Sequence, residues 1–266
     1  MATNTDAWSP AEIAARVESV GVAKARADRV SVVVLAVLAG AFIALGALFF
    51  LVVVTGSTLG FGVTRLLGGI AFSLGLVLVV VAGAELFTGN NLVSMAWASR
   101  LISGRELLRN WALVYFGNVV GALGTVAFVW IGGVGLLGDG TVQGSLRETV
   151  LAVGRAKAEL GVLRALTLGI LCNALVCLAV WLSIGGRSVT DKIVGVLFPV
   201  TAFVTLGFEH SIANWFFLPI GLFLDQGLDA GACLSNIGFV TLGNVLGGTM
   251  LVAGVYWLAY LRPSRR

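Results

Sequence analysis

Long blocks of apolar residues dominate this chain, and short clusters of charged residues separate them. The blocks cover about 30–55, 66–99, 111–135, 161–184, 193–222 and 236–261. A helix needs about 20 consecutive apolar residues to cross the hydrocarbon core of a bilayer. The pattern therefore predicts an all-α integral membrane protein with six transmembrane helices.

Composition supports this prediction. Of the 266 residues, 58% are hydrophobic and only 11% are charged, and the mean hydropathy is +1.01. A soluble domain carries about 25% charged residues, so this chain has too few polar side chains to cover a water-facing surface. The alternative of a large soluble core fits poorly, because the apolar residues come in long blocks rather than in alternation. The start of the chain has no short apolar core followed by a cleavage site, so the first span is predicted to act as the targeting signal.

The basic residues fall unequally on the two sides of the predicted topology. If both termini share one side, that side holds twelve of the 17 basic residues: Arg16, Lys24, Arg26, Arg29, Arg100, Arg105, Arg109, Arg187, Lys192, Arg262, Arg265 and Arg266. The positive-inside rule then predicts that both termini are cytoplasmic. This accounts for the net charge of +4 without a nucleic-acid partner.

The chain divides into three parts on this basis. Residues 1–29 are predicted to be a cytoplasmic N-terminal segment, with a helix start at Ser9-Pro10-Ala11-Glu12. Residues 30–262 form the membrane domain, and 263–266 a cytoplasmic tail. Ser145–Leu160 is predicted to be an amphipathic helix on one membrane face.

Polar segments interrupt the second and fifth apolar blocks. The second is broken at Thr88-Gly89-Asn90-Asn91, and the fifth contains His210, the only histidine of the chain. Of the 13 acidic residues, only Glu85 and Glu209 lie inside apolar runs. A charge at the bilayer centre costs roughly 2.5–3.5 kcal/mol on insertion scales, so ionisable groups there indicate a functional site.

The two interruptions share a motif. Gly83–Asn90 and Gly207–Asn214 both follow Gly-x-Glu-x-x-x-x-Asn at an offset of 124, and a Gly-Asn-x-x-Gly motif recurs at Gly117 and Gly243 at an offset of 126. Three spans per half predict an inverted 3+3 repeat, about 30–135 and 161–262, with broken helices 2 and 5. Such breaks indicate a substrate site, and half-helix N-termini favour an anion.

The polar residues of these segments each allow two interpretations. His210 is interpreted as a proton donor lining a pore rather than a packed neutral histidine. Glu85 and Glu209 are expected to be structural acceptors for loop N–H groups rather than proton relays. Thr88 lies opposite His210 by repeat symmetry and either caps a half-helix or contacts the substrate and His210. Asn90 and Asn214 are expected to be helix caps or loop hydrogen-bonders.

Two further polar residues also allow two interpretations each. Asn173 is either a pore contact or a helix–helix link, and Lys157 is either a solvated charge or a charge that attracts anions.

The residue pattern also argues against other classes of function. Neither the single histidine nor the cysteine spacing forms a metal site, and no metal or cofactor is expected. No nucleophile and base are paired, so the chain is not expected to be an enzyme. An aquaporin-type channel for neutral solutes would need paired Asn-Pro-Ala breaks and a pore arginine, and the sequence has neither.

Several segments together resemble one family. They are Glu85-Leu86-Phe87-Thr88-Gly89-Asn90-Asn91, Tyr115-Phe116-Gly117-Asn118, Gly186-Arg187-Ser188 and Gly207-Phe208-Glu209-His210-Ser211-Ile212-Ala213-Asn214. The chain is similar to the formate/nitrite transporter family over about 20–262, although Glu85 stands where some members have Asp. The resemblance implies an aquaporin-like protomer, a homopentamer with one pore per protomer, and a multi-pass protein of the bacterial inner membrane.

The resemblance also implies substrates and residue roles. Proton-coupled passage of formate is expected, with nitrite or hydrosulfide as the alternative substrate, acetate and lactate as related anions, and an aquaporin-type channel as the more distant alternative. His210 would be the central proton-donating residue and Thr88 its loop partner. The remaining roles are an outer constriction of Phe72, Leu76 and Phe203, an inner constriction of Leu86, Phe87 and Val176, a chamber contact at Asn173, an outer-vestibule charge at Lys157, and loop support from Glu85, Glu209, Asn90 and Asn214.

Overall fold

The computed structural model describes residues 7–133, 142–225 and 227–262. Within these ranges the regular structure is helical, and no strand occurs in them. The predicted tail at 263–266 and the first six residues of the predicted N-terminal segment lie outside the described residues.

Ten α-helices are assigned in the described ranges, and several are extended by π- or 3₁₀-helical turns. They are α1 Pro10–Arg26, α2 Arg29–Val54, α3 Phe61–Val77, α4 Ser94–Ala98, α5 Gly104–Ile131, α6 Val142–Ala158, α7 Val162–Gly185, α8 Val189–Thr205, α9 Ser211–Leu224 and α10 Ala230–Leu246. A π-helical turn, Leu78–Gly83, continues α3; a 3₁₀ turn, Gly89–Val93, precedes α4; and π-helical turns continue the chain after α10 as Gly247–Gly254 and Trp257–Leu261.

Five of these helices are long and apolar enough to cross a membrane: Arg29–Val54, Phe61–Gly83, Gly104–Ile131, Val162–Gly185 and Ala230–Leu261. The remaining apolar pair, α8 and α9, has 17 and 14 residues, and neither helix alone reaches the roughly 20 residues a span requires. The chain is thus an all-helical membrane protein with one interrupted apolar pair, and the six-span topology stays a prediction.

The helix start predicted at Ser9 is confirmed. The Ser9 hydroxyl accepts from the Glu12 backbone N–H, and the Glu12 carboxylate accepts from the Ser9 N–H at 2.8 Å. Such a reciprocal pair satisfies two N–H groups that a helix end leaves without partners. Ile13 and Val17, on the buried face of α1, belong to the same buried hydrophobic cluster as Trp181 of α7.

Two predicted boundaries differ from the structure. The third span was expected from residue 111, but α5 begins at Gly104 because Ser103 and Glu106 form a second capping box. The first break was expected at Thr88–Asn91. It lies at Ala84–Thr88, and the chain is helical again from Gly89. Gly83 has φ +84°, a left-handed conformation that glycine adopts without strain, so the helix ends there.

The repeated Gly-Asn-x-x-Gly motif brings helices into backbone contact. A Cβ on Gly121 would lie 1.9 Å from the Val37 carbonyl oxygen of α2, and one on Gly247 would lie 2.1 Å from the Ile170 oxygen of α7. The glycines are therefore required for these crossings, as is common for small residues between membrane helices.

Replacing Gly121 with Ala should destabilise the protein by roughly 3 kcal/mol, because the added methyl group forces α2 and α5 apart. Thermal unfolding of the detergent-solubilised protein would measure the effect. Gly124→Ala on the same helix is the control, since nothing lies within 4 Å of a Cβ there. Equal midpoints for the two variants would contradict the predicted contact.

Candidate functional site

The two broken segments meet in the interior of the bundle. Thr88 is the last residue of the first break, and His210 immediately precedes α9. The Thr88 hydroxyl oxygen Oγ1 lies 3.1 Å from His210 Nε2. The two residues are 0% and 3% exposed. The structure thus brings together the pair that repeat symmetry placed opposite one another.

The second ring nitrogen of His210 fixes the orientation of the imidazole. His210 Nδ1 accepts a hydrogen bond from the Ala213 backbone N–H at 3.2 Å, so the side chain serves as the N-cap of α9. An accepting Nδ1 carries no proton, and in the neutral ring the proton is then on Nε2. Nε2–H therefore donates to the Thr88 hydroxyl.

Aromatic rings cover one side of this pair. The Phe203 ring lies over the imidazole with centroids 6.0 Å apart and an interplanar angle of 17°. The Phe72 ring meets Phe203 edge-on, with centroids 5.7 Å apart. All three rings border a cavity of about 480 Å³, here called the α6 cavity, which is also lined by Lys157 and Arg65.

A second cavity of about 630 Å³ lies beneath α1 and is called the α1 cavity; Lys24, Leu76, Glu85, Leu86 and Gly89 are part of its lining. Leu76 was expected with Phe72 and Phe203. It lies in the wall of the α1 cavity instead, because it is one helical turn further along α3 than Phe72.

The other two residues expected at the inner constriction line neither cavity. The Phe87 ring packs edge-on against Tyr115 and Trp111 of α5, with centroids 4.9 and 6.3 Å away. Val176 is 1% exposed in the core. Leu86 alone of this predicted trio lines the α1 cavity, and the constriction roles stay predictions.

The Glu85 carboxylate is held by two side chains, Lys24 of α1 and Asn90 of the 3₁₀ turn, and Asn110 of α5 links these two. Lys24 Nζ donates to Glu85 Oε1 and to Asn90 Oδ1, both at 2.9 Å. Asn90 Nδ2 donates to Glu85 Oε2 at 2.6 Å and to Asn110 Oδ1 at 3.1 Å. Asn110 Nδ2 donates to the Lys24 carbonyl oxygen at 3.1 Å. These four residues form a closed Lys24 network.

The second half contains the same arrangement, here called the Lys157 network. Lys157 Nζ donates to both carboxylate oxygens of Glu209 at 2.9 Å. Asn214 Nδ2 donates to Glu209 Oε2 at 2.7 Å and to Asn236 Oδ1 at 2.8 Å, and Asn236 Nδ2 donates to the Lys157 oxygen at 2.9 Å. Lys157 is therefore a paired, largely buried ion rather than a solvated charge.

The networks support the expectation that Glu85 and Glu209 are structural acceptors, with one correction. Their carboxylates accept from lysine and asparagine side chains in these contacts, not from the loop N–H groups that were expected. A full ionic charge on each lysine is the stronger donor, and it offsets the carboxylate charge that burial would otherwise disfavour.

The loop backbone is held instead by two asparagines. Asn118 Nδ2 donates to the backbone carbonyl oxygen of Glu85 at 2.9 Å, while its Oδ1 accepts from the Phe87 backbone N–H at 2.8 Å. Asn244 does the same in the other half: it donates to the backbone carbonyl oxygen of Glu209 at 3.0 Å and accepts from the Ser211 backbone N–H at 2.9 Å. Broken membrane helices need such partners for their freed backbone groups.

Asn173 links the two halves next to the central pair. Its Nδ2 donates to the backbone carbonyl oxygens of Thr88 and Asn244 at 3.2 and 2.7 Å, and to the side-chain oxygen Oδ1 of Asn91 at 2.9 Å. The residue is fully buried, and its Oδ1 has no hydrogen-bond partner among the described residues. The helix–helix link is thus observed, and the contact with a pore stays a prediction.

Sequence reasoning missed the other members of the two networks. Lys24 was treated only as one of the basic residues that set the topology, and Asn118 and Asn244 only as parts of the repeated Gly-Asn-x-x-Gly motif. Asn110 and Asn236 were not singled out. The signal was available in the sequence, because Asn110 and Asn236 recur at the same offset of 126 as the Gly-Asn-x-x-Gly motif.

Apolar helices long enough to span a membrane, with a buried polar pair adjoining two cavities, define a channel or transporter. Comparison with known proteins gives the family. The formate/nitrite transporter family model matches residues 11–258. The chain therefore belongs to the formate/nitrite transporter family.

Individual relatives agree over nearly the full length. The formate channel FocA of Escherichia coli (strain K12) is 40% identical, over 97% of this chain and 96% of the relative. A probable formate transporter of Methanothermobacter thermautotrophicus is 38% identical, over 96% of this chain and 97% of the relative.

Two solved structures share the fold. A pentameric formate channel with formate bound has a TM-score of 0.78 and 38% identity, and the match covers 88% of this chain and 98% of that one. An ion channel of the same family has a TM-score of 0.85 and 28% identity, over 93% of this chain and 98% of that one.

Proposed function

We propose that this protein passes formate, or a related small monovalent weak-acid anion, across the membrane as the neutral acid. The names of its relatives support formate as the substrate. The observation that carries the mechanism is the buried hydrogen bond between Thr88 and His210. His210 lines the α6 cavity, and Gly89, next to Thr88, lines the α1 cavity.

The energetics of the path favour the neutral acid. Aromatic side chains, Phe72 and Phe203, stand before His210 on the α6 side, and Leu76 and Leu86 line the opposite cavity. A bare charge at this depth costs roughly 2.5–3.5 kcal/mol or more, whereas a neutral acid loses only the hydration of polar groups that can be hydrogen-bonded again. Protonation of the anion therefore lowers the barrier.

His210 acts in this proposal as a relay rather than a standing proton donor. In the neutral ring Nε2 holds the only proton, and releasing it without replacement would leave an anionic ring. A proton taken up at Nδ1 solves this problem, but it displaces the Ala213 N–H that Nδ1 accepts. Proton transfer through His210 is thus coupled to loosening of the first turn of α9.

The remaining features of the proposal concern assembly and orientation. We infer a homopentamer with one pore per protomer, on the basis of the pentameric relative. The excess of basic residues on one side supports an orientation with both termini cytoplasmic, and the bacterial relatives support a multi-pass protein of the bacterial inner membrane. Residues 1–29 would then be the cytoplasmic N-terminal segment, with α1 against the cytoplasmic mouth. Residues 30–262 would be the inverted 3+3 channel domain, and 263–266 a cytoplasmic tail.

Flux into proteoliposomes under an imposed pH gradient tests the function. We expect rapid formate uptake that increases with external acidity, because acid supplies the proton, and much slower uptake in liposomes without protein, where only formic acid that crosses the bilayer itself contributes. Preference for nitrite or hydrosulfide would keep the mechanism and change the substrate. Passage of a neutral solute such as glycerol without any of these anions would replace it by the aquaporin-type alternative.

A further inference from the structure

The charges that line the α6 cavity do not balance. Lys157 is neutralised by Glu209, and Glu159 and Arg164 are exposed at the rim. Arg65 is half-buried in the wall and forms no ion pair with a carboxylate among the residues described. Among the described residues, its guanidinium is therefore the cation in the lining of this cavity that is neither exposed nor paired with a carboxylate.

Arg65 is held by neutral groups. Nε and Nη2 donate to the carbonyl oxygens of Thr205 and Val204 at the end of α8, and the guanidinium lies 5.7 Å from the Phe50 ring centroid. The Thr205 hydroxyl donates back to the Arg65 carbonyl oxygen at 3.3 Å. Carbonyl partners orient the cation and leave its charge in place.

The position of Arg65 relates this charge to the aromatic constriction. Arg65 and Phe72 are seven residues apart on α3, which places them on one face, two turns or about 10 Å apart. At the C-terminal end of α8, the guanidinium also adjoins Gly207, because a Cβ built on Gly207 would lie 3.4 Å from Arg65 Nη2. The cation therefore stands between the cavity mouth and His210.

We propose that Arg65 forms an anion subsite in the α6 cavity, which collects small monocarboxylates ahead of the Phe72–Phe203 constriction. This inference rests on the proposed function. The competing explanation is a purely structural clamp on the C-terminal end of α8, where a cation is favourable in any case. A clamp requires only donors to the carbonyl oxygens, whereas the subsite requires the charge.

Two variants separate these roles. Arg65→Gln keeps an amide donor without charge, and Arg65→Lys keeps the charge. For Arg65→Gln we expect the formate concentration at half-maximal flux to rise about two- to four-fold, with little change in maximal flux. The reason is the lost Coulomb attraction between one positive charge and an anion about 10 Å away. The rise should shrink when salt goes from about 0.02 to 0.3 M, since the Debye length falls to several ångströms. Arg65→Lys should remain near wild type.

Arg147→Gln is the matched control. Arg147 also donates to a carbonyl oxygen at a helix end, that of Leu224 at 3.0 Å, but it is exposed and outside the lining of the α6 cavity. An equal deficit in Arg65→Lys and Arg65→Gln, a deficit unaffected by salt, or an equal deficit in Arg147→Gln would overturn the subsite. If the wild-type protein passes no small anion, the proposed function is refuted and this inference with it.

Discussion

His210→Phe is expected to lose formate uptake driven by a pH gradient, by roughly 100-fold, the lower end of what a positioned proton-transfer group contributes. Phenylalanine can keep the ring packing against Phe203, but it has no Nε2–H for Thr88 and no acceptor for the Ala213 N–H. The measurement is initial formate uptake into proteoliposomes at several external pH values, where the pH dependence should flatten as well.

A loss of flux alone could reflect a damaged α9, so the cap must be tested separately. His210→Asn supplies a side-chain oxygen that is among the best N-caps, yet it cannot relay a proton. We expect this variant to keep the wild-type unfolding midpoint and the wild-type elution volume in size-exclusion chromatography. It should lose pH-driven uptake as His210→Phe does. Wild-type pH-dependent flux in either variant would refute the relay.

Lys157→Met should destabilise the protein by roughly 3–5 kcal/mol, because it leaves the Glu209 carboxylate buried without its cation. The side chains of this pair are only 14% and 6% exposed. Asn214 would remain as a neutral donor at 2.7 Å, too weak to replace an ionic partner. Thermal unfolding in detergent at pH 7 measures the loss.

The double variant Lys157→Met/Glu209→Gln tests the cause of that loss. Removing both charges should recover a large part of the stability, since the cost lies in the unpaired carboxylate. Arg26→Met is the control: its partner is Glu106, the side chains are 58% and 28% exposed, and pairs of this kind contribute at most about 1 kcal/mol. An additive double variant would show that Lys157 acts mainly through packing.

Much of the central site followed from the sequence because it is local. Each break carries its own glycine, carboxylate and asparagine within eight residues, so the motif in one half identifies its counterpart in the other. Repeat symmetry then placed Thr88 opposite His210, and the structure joins them at 3.1 Å. The repeated Gly-Asn-x-x-Gly motif likewise lies where the structure has a close crossing at Gly121.

The sequence by itself determined the membrane class, the approximate apolar spans and the two breaks, since hydrophobic blocks and local backbone requirements are written along the chain. Only the tertiary structure decided which donors satisfy the buried carboxylates. Lys24 reaches Glu85 across 61 residues, and no local pattern encodes such a contact. The same holds for Leu76, whose cavity depends on how α3 packs, and for Arg65, which forms no ion pair with a carboxylate among the described residues.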